Sequence, residues 1–467
     1  MWVRQMKTVF DYAKNACGNP ISAKTVMQQE KLCSENYKHI KLFSAHRAAI
    51  LSFAFLFILF ISSPALSRGK STPPAKAAKA AVSVVTATAA FATATEVIHW
   101  AKIYGGDKPN WANSIAQTSD GGFIMAGGTE SYGDYDSRDA WVLKLDASGT
   151  VVWSKPYGDR GQEDAWSVVQ SPDGGFVFAG ETDSFGAGLA DAWIVKLDAA
   201  GARLWSRAYG GPGVDRAFSI ATTKDGGYIV AGYTESTGAG KGDAWVLKLD
   251  ADGYEDWQKV LGGPEYDSAN SVRQTADGGY VAAGTTASFG AGKEDFWVVK
   301  LDANGNKLWD KTFGGADSDR AHSIVQTPDG GYAVAGESMY DADGHTDFRV
   351  FRLDPNGARM WDAESRGPGD TRAYSIDNTA DGGFIFAGDA LPKDQGAEDA
   401  LVVKLDSRGK LKWLHNYGGT NPDGARCIHQ TADGGFIFAG QTTSFGDGGQ
   451  YAWAVKLGLT GLCAGCY

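Results

Sequence analysis

A carboxylate and an imidazole, Asp377 and His429, stand 52 residues apart at equivalent places in a repeating pattern. Such a pair can exchange protons with a substrate. It can equally be an ion pair that only holds structure. No serine-nucleophile motif, H-E-x-x-H helix or Gly-rich phosphate loop accompanies it. Asp341-x-Asp343-Gly344 holds half of a Ca²⁺ loop but lacks the third acidic position before Gly and the distal Glu. Asp139, Asp191, Asp243, Asp295, Asp347 and Asp399 recur before a hydrophobic segment and are expected to bond loop backbone. A ring of Ca²⁺ ligands is the alternative for them; otherwise no metal or cofactor is expected. Cys463 and Cys466 form a C-x-x-C. A disulfide is expected there in an exported chain. A c-type haem would need His where Tyr467 stands, and Zn²⁺ would need two more ligands. Cys427 is left over and expected to be buried.

What positions these residues is a repeat. Trp recurs at 100, 153, 205, 257, 309, 361 and 413, and the Asp of an Asp-Gly-Gly at 120, 173, 225, 277, 329, 381 and 433. A third landmark, Lys/Arg-Leu-Asp, begins at Lys144, Lys196, Lys248, Lys300, Arg352 and Lys404, and ends as Lys-Leu-Gly at Lys456. Landmarks that keep one register over seven copies define a tandem array. One unit, Asp215 to Leu261, reads as AFSIATT, a turn, YIVAGYT, a Gly-rich loop, AWVLKLD, a second turn and WQKVLGG. These are four strands with β-branched and aromatic residues and no helical period. The Asp-Gly of the first turn supplies the positive φ of a two-residue hairpin. Four strands at this period describe an all-β, seven-bladed β-propeller. Trp100–Gly106 is a fourth strand without the preceding three, and Gly424–Leu457 holds three strands without a fourth. The N-terminal strand is therefore expected to complete the last blade and hide both edges. Trp153 and its equivalents are expected to pack between blades.

Composition and charge exclude other classes. Gly is about 13% of 467 residues with only 14 Pro, so the chain is neither collagen-like nor Pro/Gly-disordered. Residues 1–97 carry 12 Lys/Arg against 4 Asp/Glu; residues 98–467 carry 32 against 51. A folded region this acidic repels phosphate backbones, so no nucleic-acid partner is expected. Residues 48–61, AAILSFAFLFILFI, form an apolar run preceded by Lys38, Lys41 and Arg47. Fourteen residues are short for a span of ~20 and fit a signal-peptide core. Cleavage is expected after Ser67, with an uncleaved membrane anchor as the alternative; Met27 offers a second start. Residues 68–97, rich in Ala, Thr, Lys and Pro, read as a flexible linker. The chain is expected to be exported (periplasmic, extracellular or surface-bound) and the propeller, residues 98–467 with a short tail, to be monomeric.

The pattern A-x-S-I-x-Q-T-x-D-G-G-[YF]-I-x-A-G, then S-F-G-x-G-x-x-D-A-W-V-x-K-L-D, then G-x-x-x-W-x-K-x-Y-G-G resembles a family of tandem propeller repeats found in secreted and surface proteins of bacteria and archaea. The resemblance covers about 360 residues. It implies the propeller and carries almost no function. Leu301-Asp302-Ala303-Asn304-Gly305-Asn306-Lys307-Leu308-Trp309 is more weakly similar to quinoprotein-type repeats. That likeness implies a quinone-dependent dehydrogenase as one alternative, although such enzymes resemble an eight-bladed ring with a Ca²⁺ site.

The functional signal lies where one repeat position varies between fixed neighbours. The A-x-S position, on the strand expected to line the channel, reads Asn113, Trp166, Phe218, Asn270, His322, Tyr374 and Arg426. Three residues on it reads Ala116, Val169, Ala221, Arg273, Val325, Asp377 and His429. Blades one to three offer mostly apolar and aromatic groups, and blades four to seven polar and ionisable ones. Trp166, Phe218, Asn270, Arg273, His322, Tyr374, Asp377, Arg426 and His429 are the candidate ligand-binding set, in a concave, partly apolar site. Variant loops around Tyr132 and Tyr340 would lie on the same face. The leading expectation is a non-catalytic binding module for a glycan, a cell-envelope component or a protein. The alternatives are the quinone-dependent enzyme and a structural envelope scaffold.

Overall fold

The computed structural model describes residues 100–133, 137–339, 345–365, 369–391 and 396–462. The expected signal segment, the linker, the Asp341–Gly344 loop and Cys463/Cys466 lie outside the described residues. Each repeat becomes one four-stranded antiparallel sheet, and seven such sheets are formed. Blade three shows why. Its strands are Asp215–Thr222, Tyr228–Thr234, Asp243–Leu249 and Glu255–Leu261. The two middle strands are buried along their whole length, because a neighbouring blade covers each face. They read as continuous apolar runs for that reason. The fourth strand is exposed along one face and carries the polar alternation.

The Asp-Gly-Gly turn differs from the expected two-residue hairpin. Thr223 N–H donates to Gly227 O and Gly226 N–H to Thr223 O, so three residues cross between the strands. Only Gly226 takes a positive φ, +85°. The second glycine answers a different need: a Cβ on Gly227 would lie 2.2 Å from Leu249 O. A three-residue loop with a left-handed Gly is the next commonest hairpin after the two-residue form.

That turn is tied to the third strand. Lys144, Lys196, Lys248, Lys300, Lys404 and Lys456 reach the turn aspartates Asp120, Asp173, Asp225, Asp277, Asp381 and Asp433 at 2.7–3.0 Å; Arg352 does the same to Asp329. The lysines are buried and the aspartates largely open. Two landmarks of the repeat are thus one ion pair.

The blades are joined by aromatic contacts. Trp100, Trp153, Trp205, Trp257, Trp309, Trp361 and Trp413 each meet a Phe or Tyr that opens the second strand of the next blade, with ring centroids 5.6–6.3 Å apart, edge to face. The expectation that these tryptophans pack between blades is borne out. Trp153 Nε1 also donates to Ala199 O of the next blade (3.1 Å). Closure follows the expected route: Trp100–Tyr104 pairs antiparallel with the third strand of blade seven, Trp100 opposite Lys456 and Tyr104 opposite Ala452.

Burial would raise the carboxyls of Asp225, Asp277 and Asp381. Hydrogen bonds from the turn threonine and the lysine more than offset it and hold each at about 2. A carboxyl depressed from an unfolded value of about 3.9 stabilises the fold above pH 4 and loses that contribution as pH falls towards 2. Asp381→Asn leaves the Lys404 ammonium buried without its carboxylate. Because the Asp381 carboxylate is largely open to water, this is expected to cost about 1 kcal/mol at pH 7, a deficit that shrinks between pH 4 and 2, measured by urea unfolding across that range.

Candidate functional site

The variable A-x-S residue is the bulged residue of the first strand in all seven blades: pairing with the second strand skips from Ala112 to Ser114, from Ala165 to Ser167, and likewise around the ring to Ala425 and Cys427. A bulge leaves one residue out of the ladder and re-aims its side chain. The neighbours on either side are held; the bulged side chain is free to differ. Beside it, Ser114, Ser167, Ser219, Ser271, Ser323 and Ser375 accept a backbone N–H from the next blade's first strand at 3.1–3.3 Å. The variable residues therefore stand on a hydrogen-bonded inner ring.

Six of the nine candidates, Trp166, Phe218, Asn270, His322, Tyr374 and Arg426, line one open cavity of about 780 Å³ at the mouth of the channel, with Asn113 beside them. Arg273, Asp377 and His429 do not line it. They sit three residues further along their strands, past the serine ring, and form a separate group. The nine are thus two sites, because the strands run along the channel and three residues span about 10 Å.

The mouth has further walls that the A-x-S comparison misses. Trp111, Asp164, Ser268 and Arg320 come from the position two residues before it, and Thr285 and Gln441 from the facing second strand. Arg138, Tyr266 and Glu294 come from loops. The D-x-A position, reading Trp111, Asp164, Arg216, Ser268, Arg320, Arg372 and Gly424, varies as strongly as its neighbour and was the available signal. These residues also blur the expected split: Arg138 and Asp164 put charge on the aromatic side, and Tyr266 puts an aromatic on the polar side.

Aromatic faces and ion pairs alternate around the mouth. Trp166 and Phe218 meet edge to face at 6.1 Å. Arg426 lies over the Tyr374 ring at 4.3 Å, and His322 packs 5.2 Å from that ring. Glu181 bridges Arg138 (3.2 Å) and Arg216 (2.5 Å). Glu337 meets Arg320 (3.4 Å) and Arg372 (3.2 Å). Most of the arginine charge is thereby answered from behind, so the face offered to a ligand is ring-rich and close to neutral. Trp166 Nε1 is buried without a hydrogen-bond partner among the described residues, so the indole offers the cavity its ring and not its N–H.

The expected backbone role of the pre-strand aspartates is seen at Asp191, which accepts from Ala187 and Gly188 (3.0 and 3.2 Å), at Asp243, which accepts from Ala239 (2.9 Å), and at Asp295, which accepts from Ala291 and Gly292. These carboxylates order the second-to-third-strand loops around the mouth.

Comparison with known proteins agrees with this architecture. Residues 327–359 match the model of a domain of unknown function (DUF5122) beta-propeller. The chain is a β-propeller repeat protein. A regulatory protein FlaEY of Caulobacter vibrioides is 26% identical over 205 residues, 38% of this chain, and the match spans only 21% of that relative. A crystal structure of puromycin hydrolase superposes with a TM-score of 0.50 at 14% identity, covering 76% of this chain and 53% of the other. The Pan2 WD40 domain of Neurospora crassa superposes with a TM-score of 0.44 at 12% identity, covering 75% and 97%. At these identities the likeness to solved structures is one of fold.

Asp164 is the titrating group of the mouth. Burial pushes its carboxyl up to about 7, with Arg138 opposing and Glu181 adding to the rise; Trp111 Nε1 (3.2 Å) and Asn113 Nδ2 (3.0 Å) donate to it. Between the unfolded value near 3.9 and about 7 the folded chain holds the extra proton, so this group's contribution to stability falls as pH rises through that window. Asp164→Asn is expected to gain stability on the parent by roughly 1 kcal/mol or more on going from pH 5 to pH 8, read from urea unfolding of both proteins at the two values.

Proposed function

We propose that this chain is an exported, non-catalytic binding module that takes a glycan at the channel mouth. The observation that carries the reading is the mouth itself. An opening of about 780 Å³ is walled by Trp166, Phe218 and Tyr374, with the Asn113 and Asn270 amides among them. Pockets of about 300–1,000 Å³ with apolar walls and a few placed polar groups are the usual form of small-ligand sites. Aromatic faces suit the C–H face of a pyranose, and amide groups suit its hydroxyls. The self-answered charges favour a neutral ligand over a strongly anionic one. Export rests on the apolar run at residues 48–61 and its basic flank. A glycan on the outside of a cell is the ligand class that joins the two.

Calorimetric titration of the purified protein with a panel of neutral and anionic oligosaccharides tests this. Neutral oligosaccharides are expected to bind, and Trp166→Ala and Tyr374→Ala each to weaken binding by about tenfold or more, in line with ring losses of 1–3 kcal/mol, with Tm close to that of the parent. A protein that binds none of the panel, or whose binding is untouched by both substitutions, is not the module described.

A further inference from the structure

The seventh blade breaks the inner ring. Six blades place serine after the bulge, and their hydroxyls accept the next blade's N–H. Blade seven places Cys427 there. Its sulfur lies 3.6 Å from Ile115 O and 3.5 Å from His429 Nε2. The other ring nitrogen of His429, Nδ1, lies 3.1 Å from Asp377 Oδ2 on the neighbouring blade. Blade seven thus carries thiol and imidazole on one strand, two residues apart, and blade six supplies the carboxylate that orients the ring. Each of the three is the sole residue of its kind at its repeat position. The imidazole and the carboxylate are about a third and a quarter exposed on their side chains, while Cys427 is 9% exposed. The nucleophile is sheltered and its base reaches the channel.

We propose that Cys427, His429 and Asp377 form a nucleophilic thiol site inside the channel that captures small activated alkenes, the α,β-unsaturated carbonyl class, as a stoichiometric thioether. The geometry is that of a nucleophile, a base and a third group that orients the base. Addition to an activated alkene uses what is present and nothing else. The Cys427 sulfur forms a bond to the β-carbon, the π pair shifts to the α-carbon, and the imidazolium Nε2–H delivers its proton there. No leaving group, oxidant or second reactant enters. Asp377 keeps Nδ1–H in place, and the Arg273 guanidinium in the channel is close enough for its charge to act on both Asp377 and Cys427. Burial pushes the thiol up, but the imidazole more than offsets it, so the thiol lies below its ordinary range. The imidazole is raised by the thiolate and the Asp377 hydrogen bond against the effect of burial. Cys427 stands in the serine ring itself, and His429 and Asp377 lie on the far side of that ring from the mouth cavity.

The test is the rate of acrylamide addition at Cys427 in the full chain, followed by peptide mass spectrometry from pH 5 to 10, with the same chain in urea as reference. Native Cys427 is expected to react at pH 6.5 about tenfold faster than the unfolded chain. That figure combines a larger thiolate fraction with the lower nucleophilicity of a more acidic thiol. Its profile should rise at lower pH than the ordinary thiol midpoint near 8.5. His429→Gln should raise the midpoint to the ordinary range or above it, since burial then acts unopposed by the imidazole, and Asp377→Asn should move it part of the way. A native profile that coincides with the unfolded one overturns the proposal. So does a native Cys427 that stays unmodified while the unfolded chain reacts to completion, or a His429→Gln profile equal to the parent's. The first two comparisons need no variant, so a misfolded substitution leaves the test intact.

Discussion

A four-stranded sheet with two apolar faces has no stable existence alone, and this constraint organises the molecule. The middle strands of each blade are buried on both sides, so every blade needs a neighbour on the left and on the right. The hydrophobic clusters show this directly: one gathers Ile124 and Val142 of blade one with Phe176, Phe178 and Trp193 of blade two. Another joins Ile437 and Ala454 of blade seven to Phe123 and Trp141 of blade one. A row of such sheets ends only by closing on itself. The strand Trp100–Tyr104 makes the closure, and the same interblade Trp–Phe contact is repeated there between Trp100 and Phe123.

Closure creates the channel, and the channel separates residues that must be alike from residues that need not be. The serines bridge adjacent first strands and are held to one type in six blades. The bulged residue between them and the conserved-within-the-repeat alanine makes no ladder bond and faces open space. Selection on packing therefore acts on one and not on the other. The ring of ion pairs at the Asp-Gly-Gly turns belongs to the first kind, since each lysine is buried beneath the turn it holds. The mouth residues belong to the second, and their alternation of rings and answered charges is where ligand chemistry can be written without cost to the fold.

Blade seven is the exception on the inner ring. It carries Cys427 where the others carry Ser, at the blade that also holds the closing strand. The thiol meets His429 on its own strand and, through it, Asp377 on the preceding blade. The six serines accept an N–H of the next blade; the Cys427 sulfur meets the Ile115 carbonyl of blade one and, in addition, an imidazole.

The repeat period, the strand order, the closing strand and the interblade role of the tryptophans were all legible from the chain, because turns, alternation and a 52-residue period are local properties repeated seven times. The turn geometry was not. Asp-Gly-Gly specifies where a hairpin lies, and the buried lysine and the close approach of Leu249 O to Gly227 decide which hairpin. The site was half legible. Variation at the A-x-S position located six residues of the mouth, but Trp111, Asp164 and Arg320 needed the facing strand and the bulge to bring them to the same wall. Asp377 and His429 could be matched by register alone. That Cys427 completes them depends on the two-residue alternation past the bulge, which puts Cys427 and His429 on one face of the strand, and on the packing of blade six against blade seven. Sequence determines what each blade is; the packing of blade on blade decides which side chains of different blades meet.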